Sequence, residues 1–89
     1  MPSALHAARA TEVYAPEQLK LATQSLNEAQ AAAAAADYAR AGRLASGAEL
    51  DARLTWAMTD EAPLRAQAAA IAAQAIDLEH SLAARKPGD

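Results

Sequence analysis

The sequence predicts an all-α protein, and two observations carry that prediction. Alanine fills 29 of the 89 positions, including the unbroken run from Ala31 to Ala36. Alanine has the highest intrinsic helix propensity of all residues. Apolar residues also recur every three or four positions along most of the chain, which is the spacing of one face of a helix in bundles and coiled coils.

The predicted core is poor in bulky side chains. Of the apolar residues that make up 53% of the chain, only 18 are not alanine, and none is phenylalanine. A chain of 89 residues forms one domain, which we place at residues 3–84, with a disordered tail at 85–89. The net charge of −3 is too small for strong self-repulsion. We therefore expect a folded chain that forms a homo-oligomer, a dimer or a tetramer, to complete its core.

The first helical arm carries one apolar stripe and ends near Asp37. A carboxylate at that position can cap the next helix by accepting from its free backbone amides. The chain should therefore reverse near Ala36 and Asp37. Pro16 predicts a helix boundary or a kink within this arm. The stripe consists of Leu5, Ala8, Glu12, Ala15, Leu19, Ala22, Leu26, Ala29, Ala33 and Ala36.

The second arm allows two readings that differ at Pro63. Its stripe keeps the same phase across Pro63, which favours an antiparallel hairpin with one long, Pro-kinked second helix over residues 38–84, about 70 Å long. The alternative is a break at 59–62 and a compact bundle of three helices at 17–36, 38–58 and 61–84. The stripe consists of Leu50, Leu54, Ala57, Glu61, Leu64, Ala68, Ile71, Ala75, Leu78 and Leu82, with Leu44, Ala45 and Ala48 leading into it.

A long second arm would have a stripe that its own chain leaves uncovered. That stripe consists of Leu64, Ile71, Leu78 and Leu82, and a second hairpin could cover it by forming a four-helix bundle. Trp56 lies beside the stripe and is predicted either to cover the flank of the hairpin or to join an interface. Tyr38 is expected to close the end of the hairpin, and Tyr14 to pack at the bend at Pro16.

The residues that could carry chemistry are few and scattered. There is no cysteine, so a disulfide and a thiolate metal site are excluded. Glu12 and Glu61 lie at similar levels of a hairpin and would form an acid pair, but water reaches both and arginines are nearby. His6 and His80 are single residues without ligand spacing. We predict no catalytic, cofactor-binding or metal site.

The composition also argues against nucleic acid and against membranes as partners. Eight Lys and Arg against eleven Asp and Glu, without a basic cluster, argue against nucleic acid. No stretch has the 18 or more bulky apolar residues of a membrane span. The N-terminus shows no export signal. If the protein is exported, we expect that the signal has been removed.

Several short motifs resemble the uncharacterised bacterial family catalogued as domain of unknown function 4398. They are YAPEQL at 14–19, DYARA at 37–41, LA at 44–45, Glu49, and DARL at 51–54, and the resemblance covers roughly residues 4–70. It implies a helical module of the periplasm and Gram-negative envelope without enzymatic activity. The chain departs from the family in lacking an export signal and a lipid-bearing cysteine, and in having Ala36 where the family usually has glycine.

Together these features predict a non-enzymatic structural or interaction module of the bacterial cell envelope, acting through helix–helix packing. Its partner would be another copy of the chain or an envelope protein. The alternative is a peptide- or protein-binding module resembling one helical repeat, with its groove near Trp56. The interaction-surface candidates are Trp56, Leu64, Ile71, Leu78, Leu82 and Tyr14.

Overall fold

Three helices joined by two short turns make up the fold. The computed structural model describes the backbone of residues 2–85 and the side chains of residues 14–85. The helices are α1 (Pro2–Ala34), α2 (Tyr38–Met58) and α3 (Ala62–Ala84). The bundle measures 59 × 18 × 17 Å. The predicted all-α class is confirmed, and so is the alternative architecture, the compact three-helix bundle.

The prediction of one long, kinked second helix is wrong. The chain leaves the helical conformation at Thr59 (φ −139°, ψ 150°) and re-enters it after Glu61 (φ −72°, ψ 118°). In a continuous helix, the ring of Pro63 would clash with the carbonyl of Thr59 and leave that carbonyl without an N–H donor. In the bundle Pro63 lies in the first turn of α3, where the missing N–H costs little. The Thr59 carbonyl instead accepts a hydrogen bond from Nε of Arg65 at 2.6 Å.

The helix that outruns its neighbours is α1, whereas the prediction gave the overhang to the second arm. α1 has 33 residues and continues through Pro16, so no helix boundary falls there. At 1.5 Å per residue it is about 50 Å long, against about 32 Å for α2 and about 35 Å for α3. The first helix of the predicted bundle therefore begins much earlier than residue 17.

The turn between α1 and α2 occurs where the sequence predicts it. The amide of Asp37 bonds to the carbonyl of Ala32 at 2.9 Å, and that of Ala36 to the carbonyl of Ala33 at 3.0 Å. This is the pair of hydrogen bonds of a Schellman motif, and Ala36 occupies its left-handed position with φ 63°. The Asp37 carboxylate then caps α2 by accepting from the amide of Arg40 at 3.3 Å. One turn thus ends one helix and starts the next.

The core is built mainly of alanine. Among the described residues, three of the buried apolar side chains are larger than alanine, namely Leu19, Leu26 and Ile71. The predicted stripe of α1 is buried from Ala15 to Ala29, while its earlier members, Leu5, Ala8 and Glu12, lie outside the described side chains. The buried alanines are Ala15, Ala22, Ala29, Ala32, Ala41, Ala45, Ala48, Ala52, Ala68 and Ala75.

The face that α2 buries agrees with the prediction at Ala45 and Ala48 and departs from it from Leu50 onward. Ala41, Ala45, Ala48 and Ala52 face inward, followed by the buried Thr55, whose hydroxyl donates to the carbonyl of Asp51 at 2.9 Å. The predicted stripe members Leu50, Leu54 and Ala57 are exposed instead. Since α3 folds back on the bundle, α2 must fit against two helices at once, and small side chains let the helix axes approach closely. In α3 the predicted stripe holds, because Ala68, Ile71 and Ala75 are buried.

Candidate interaction surface

Five large apolar side chains lie exposed on the described parts of α1 and α2, namely Trp56 and four others. Tyr14 is 60% exposed, Leu21 51%, Leu50 60% and Leu54 44%. Single exposed leucines are common on protein surfaces, whereas a group of them on one side of a small protein is informative. Whether these four residues form such a group depends on helical phase and on the register of the two helices.

A hydrogen bond between α1 and α2 sets that register. Nε2 of Gln18 donates to Oδ1 of Asp51 at 2.9 Å. Tyr14 lies four residues before Gln18 and Leu21 three residues after it, so all three share one side of α1. Leu54 follows Asp51 by three residues and Leu50 precedes Leu54 by four, which places both on the matching side of α2. We call these four residues, Tyr14, Leu21, Leu50 and Leu54, the outer α1–α2 surface.

Trp56 lies on a different side of α2, where it meets α3. Its indole is 47% exposed, and the guanidinium carbon of Arg65 is 3.9 Å from the ring centroid. Arg65 also bonds to the Thr59 carbonyl and, at 3.4 Å, to the carboxylate of Asp60. The planar guanidinium therefore ties the α2–α3 turn to the Trp56 ring through a cation–π contact. Trp56 therefore lies at the α2–α3 turn with Arg65 over its ring, and the two roles predicted for it stay predictions.

The predicted uncovered stripe on α3 is covered by its own chain. Ile71 is buried, and Leu64 packs against the core cluster. Leu78 and Leu82 are half-buried. The prediction of an uncovered stripe is wrong because it assumed one continuous second arm. The break at Thr59 instead folds α3 back onto α1 and α2.

The end of the bundle near the α1–α2 turn is closed by Tyr38. Its hydroxyl accepts a hydrogen bond from Nη1 of Arg85 at 3.3 Å, and the Arg85 guanidinium carbon lies 5.8 Å from the ring centroid. A hollow of about 460 Å³ beside this pair is lined in part by Gly42 and Leu82. Tyr38 thus lies at the end of the bundle, as predicted.

Among the described residues, neither the predicted acid pair nor the single histidines form a site. Glu61 and His80 are both exposed, and the side chains of Glu12 and His6 lie outside the described residues. Within residues 14–85, no three His, Cys, Asp or Glu side chains are grouped so that they could hold a metal ion.

In the described part of the chain, no helix combines the length and the apolar character needed to cross a membrane. Residues 86–89 of the predicted tail are likewise outside the description.

Sequence reasoning missed Leu21 and assigned Leu50 and Leu54 to the core. A signal for the correct phase was present, because Ala41, Ala45, Ala48, Ala52 and Thr55 also follow a 3-4 spacing. The prediction followed it at Ala45 and Ala48 and then changed to Leu50 and Leu54, because leucine outweighs alanine in any count of apolar character. Leu21 falls off both patterns and could have been recognised as an outward residue.

Comparison of the chain with protein-family models, with curated proteins and with solved structures gives no match. The resemblance to the envelope family described above therefore stays a prediction.

Proposed function

We propose that this protein is a non-enzymatic structural module that self-associates through the outer α1–α2 surface. The observation that carries the proposal is the exposure of Leu50 and Leu54 on a helix whose inner face is almost entirely alanine. α2 thus directs two of its three leucines to the outside. Burying a leucine contributes about 1.5–3 kcal/mol, so two copies that cover these residues gain free energy that the monomer core does not supply.

The poverty of the core supports the same proposal. A small domain buries a limited share of its surface, and here most buried side chains offer one methyl group each. Association is a common way for such a domain to add buried apolar area. A net charge of −3 opposes the approach of two copies only weakly.

The setting that we propose is the bacterial cell envelope, with residence in the periplasm, as the family resemblance implies. An architectural role fits a module whose described residues present apolar helix surfaces. The alternative of a peptide-binding groove near Trp56 has less support, because Arg65 already stacks on the indole ring.

The solution mass tests the proposal. Light scattering over a dilution series should give at least twice the 9.2 kDa monomer mass at high concentration. The double substitution Leu50→Gln and Leu54→Gln should raise the dissociation constant at least about 100-fold, because each copy loses two buried leucines. Circular dichroism should show unchanged helicity.

A matched control uses the same substitution at the same spacing on another face. Ala69 and Ala73 are exposed on α3, so Ala69→Gln with Ala73→Gln should leave the assembly intact. A wild-type chain that stays monomeric at every concentration would contradict the proposal. Equal weakening by both double variants would contradict the assignment of the surface.

A further inference from the structure

The outer face of α2 carries a longer stripe that includes the exposed Leu50 and Leu54. Arg43, Gly47, Leu50, Leu54 and Ala57 follow one another at intervals of four, three, four and three residues. They therefore form one stripe along the helix. The stripe lies opposite the buried alanines of α2, so the chain's own core does not cover it.

The two ends of this stripe carry opposite charge. Arg40 and Arg43 are exposed near the start of α2, and Asp60 and Glu61 are exposed just beyond its end. Asp60 is paired with Arg65 at 3.4 Å. Within residues 14–85, neither Arg43 nor Glu61 belongs to an ion pair.

We propose that two copies of this chain pair through α2 in antiparallel orientation, with Ala52 at the level of the two-fold axis. The proposal rests on the proposed function, because it requires self-association, and adds which helix pairs and in which register. Leu50 then packs against Leu54 of the second copy. Gly47 faces the second copy's Ala57, since both pairs are equally far from Ala52 along α2. Arg43, near the start of α2, approaches Glu61 in the turn that follows the second copy's α2.

Charge decides the orientation. Antiparallel pairing brings the basic start of one α2 to the acidic end of the other, which is attractive at both ends of the interface. Parallel pairing would place Arg43 beside Arg43 and Glu61 beside Glu61, which is repulsive. The helix dipoles also oppose each other in the antiparallel pair.

The glycine in the stripe has no role in the packing of its own chain. A Cβ added at Gly47 meets no atom within 4 Å, yet glycine within a helix is unfavourable by roughly 1 kcal/mol relative to alanine. Opposite Ala57 of the second copy, Gly47 lets the two α2 backbones approach at the level next to the leucines.

Cysteine cross-linking tests the register, because the chain has no cysteine of its own. Gly47→Cys and Ala57→Cys chains, mixed and oxidised, should form a disulfide between the two variants. Gly47→Cys alone should not cross-link, since antiparallel pairing separates the two copies of residue 47 by about 15 Å along the helix, beyond the roughly 7 Å that a disulfide spans. Ala73→Cys, exposed on α3, serves as the control for random collision.

The outcomes separate this inference from the proposed function. Efficient self-linking of Gly47→Cys would indicate parallel pairing and overturn the inference. A wild-type dimer in which the mixed variants link no faster than the control would overturn the α2 register while leaving self-association intact. A chain that is monomeric by light scattering would overturn both.

Charge reversal gives an independent test. Arg43→Glu and Glu61→Arg should each weaken the dimer about 10-fold, because each disrupts two symmetry-related pairs. The two changes in one chain should restore the dissociation constant to within about 3-fold of wild type. Lys20→Glu, on the exposed side of α1, should leave it unchanged. A combined variant as weak as the single variants would contradict the contact between Arg43 and Glu61.

Discussion

Ala36 shows how a single residue carries a cost that the fold accepts. It lies in the left-handed region with φ 63°, where an L-residue with a Cβ is unfavourable by roughly 1–2 kcal/mol. The Schellman hydrogen bonds on either side hold it there, and Asp37 begins the next helix at once. Sequence reasoning located this turn from Asp37 as an N-cap and from the phase of the apolar stripes, because capping and spacing are local properties. It could not locate the strain, which depends on the backbone path.

Replacing Ala36 with glycine should therefore stabilise the protein. Glycine adopts positive φ without a steric penalty, so we expect Ala36→Gly to raise the free energy of unfolding by about 1 kcal/mol. Urea denaturation followed by circular dichroism measures the change. Ala34→Gly, at the last residue of α1, is the control and should lower stability by about 0.5–1 kcal/mol. A lower stability for Ala36→Gly than for wild type would show that the turn does not need this conformation.

At the scale of the helices, close packing governs which faces are buried. Ala75 is completely buried in α3, whereas Ala73, two residues earlier, is exposed. Alanine contacts leave no room for a longer side chain without moving a helix axis or forcing strained rotamers. The size of the buried residues is thus a requirement of the bundle and not only a reflection of helix propensity.

Ala75→Leu should lower the free energy of unfolding by about 1–3 kcal/mol through overpacking. Ala73→Leu adds the same side chain on the exposed face of the same helix and should change stability by less than about 0.5 kcal/mol. Chemical denaturation of both variants distinguishes packing from propensity, which is identical for the two substitutions. If Ala75→Leu were as stable as Ala73→Leu, the described core would be looser than its burial indicates.

Pro63 and the phase of α2 are the points at which prediction of the helices failed. The spacing of the apolar residues continues across Pro63, and this spacing favours one continuous helix. The break at Thr59 to Glu61 reverses the chain, and the break itself frees α2 to present its alanine face to α1 and α3. Periodicity predicts that a helix forms. Where one helix carries a stripe of leucines and a stripe of alanines, periodicity does not decide which of the two faces the core.

For the whole molecule, association and folding stability should be linked. A ligand or partner that binds only the folded state stabilises it by mass action. The thermal midpoint of the wild-type chain should therefore rise with protein concentration, as measured by circular dichroism or calorimetry. The variant with Leu50→Gln and Leu54→Gln should show a midpoint independent of concentration. A wild-type midpoint that stays constant over a 100-fold concentration range would indicate that the bundle is stable alone.

The sequence by itself determined the helical class, the scarcity of bulk in the core, the turn at Ala36 and Asp37, and the buried faces of α1 and α3. These follow from propensity, capping and spacing, which are local properties. Only the tertiary structure decided that the chain breaks after Met58 and that α2 turns Leu50 and Leu54 outward. The physical reason is that the bundle minimises the distance between three helix axes, and alanine achieves this where leucine cannot.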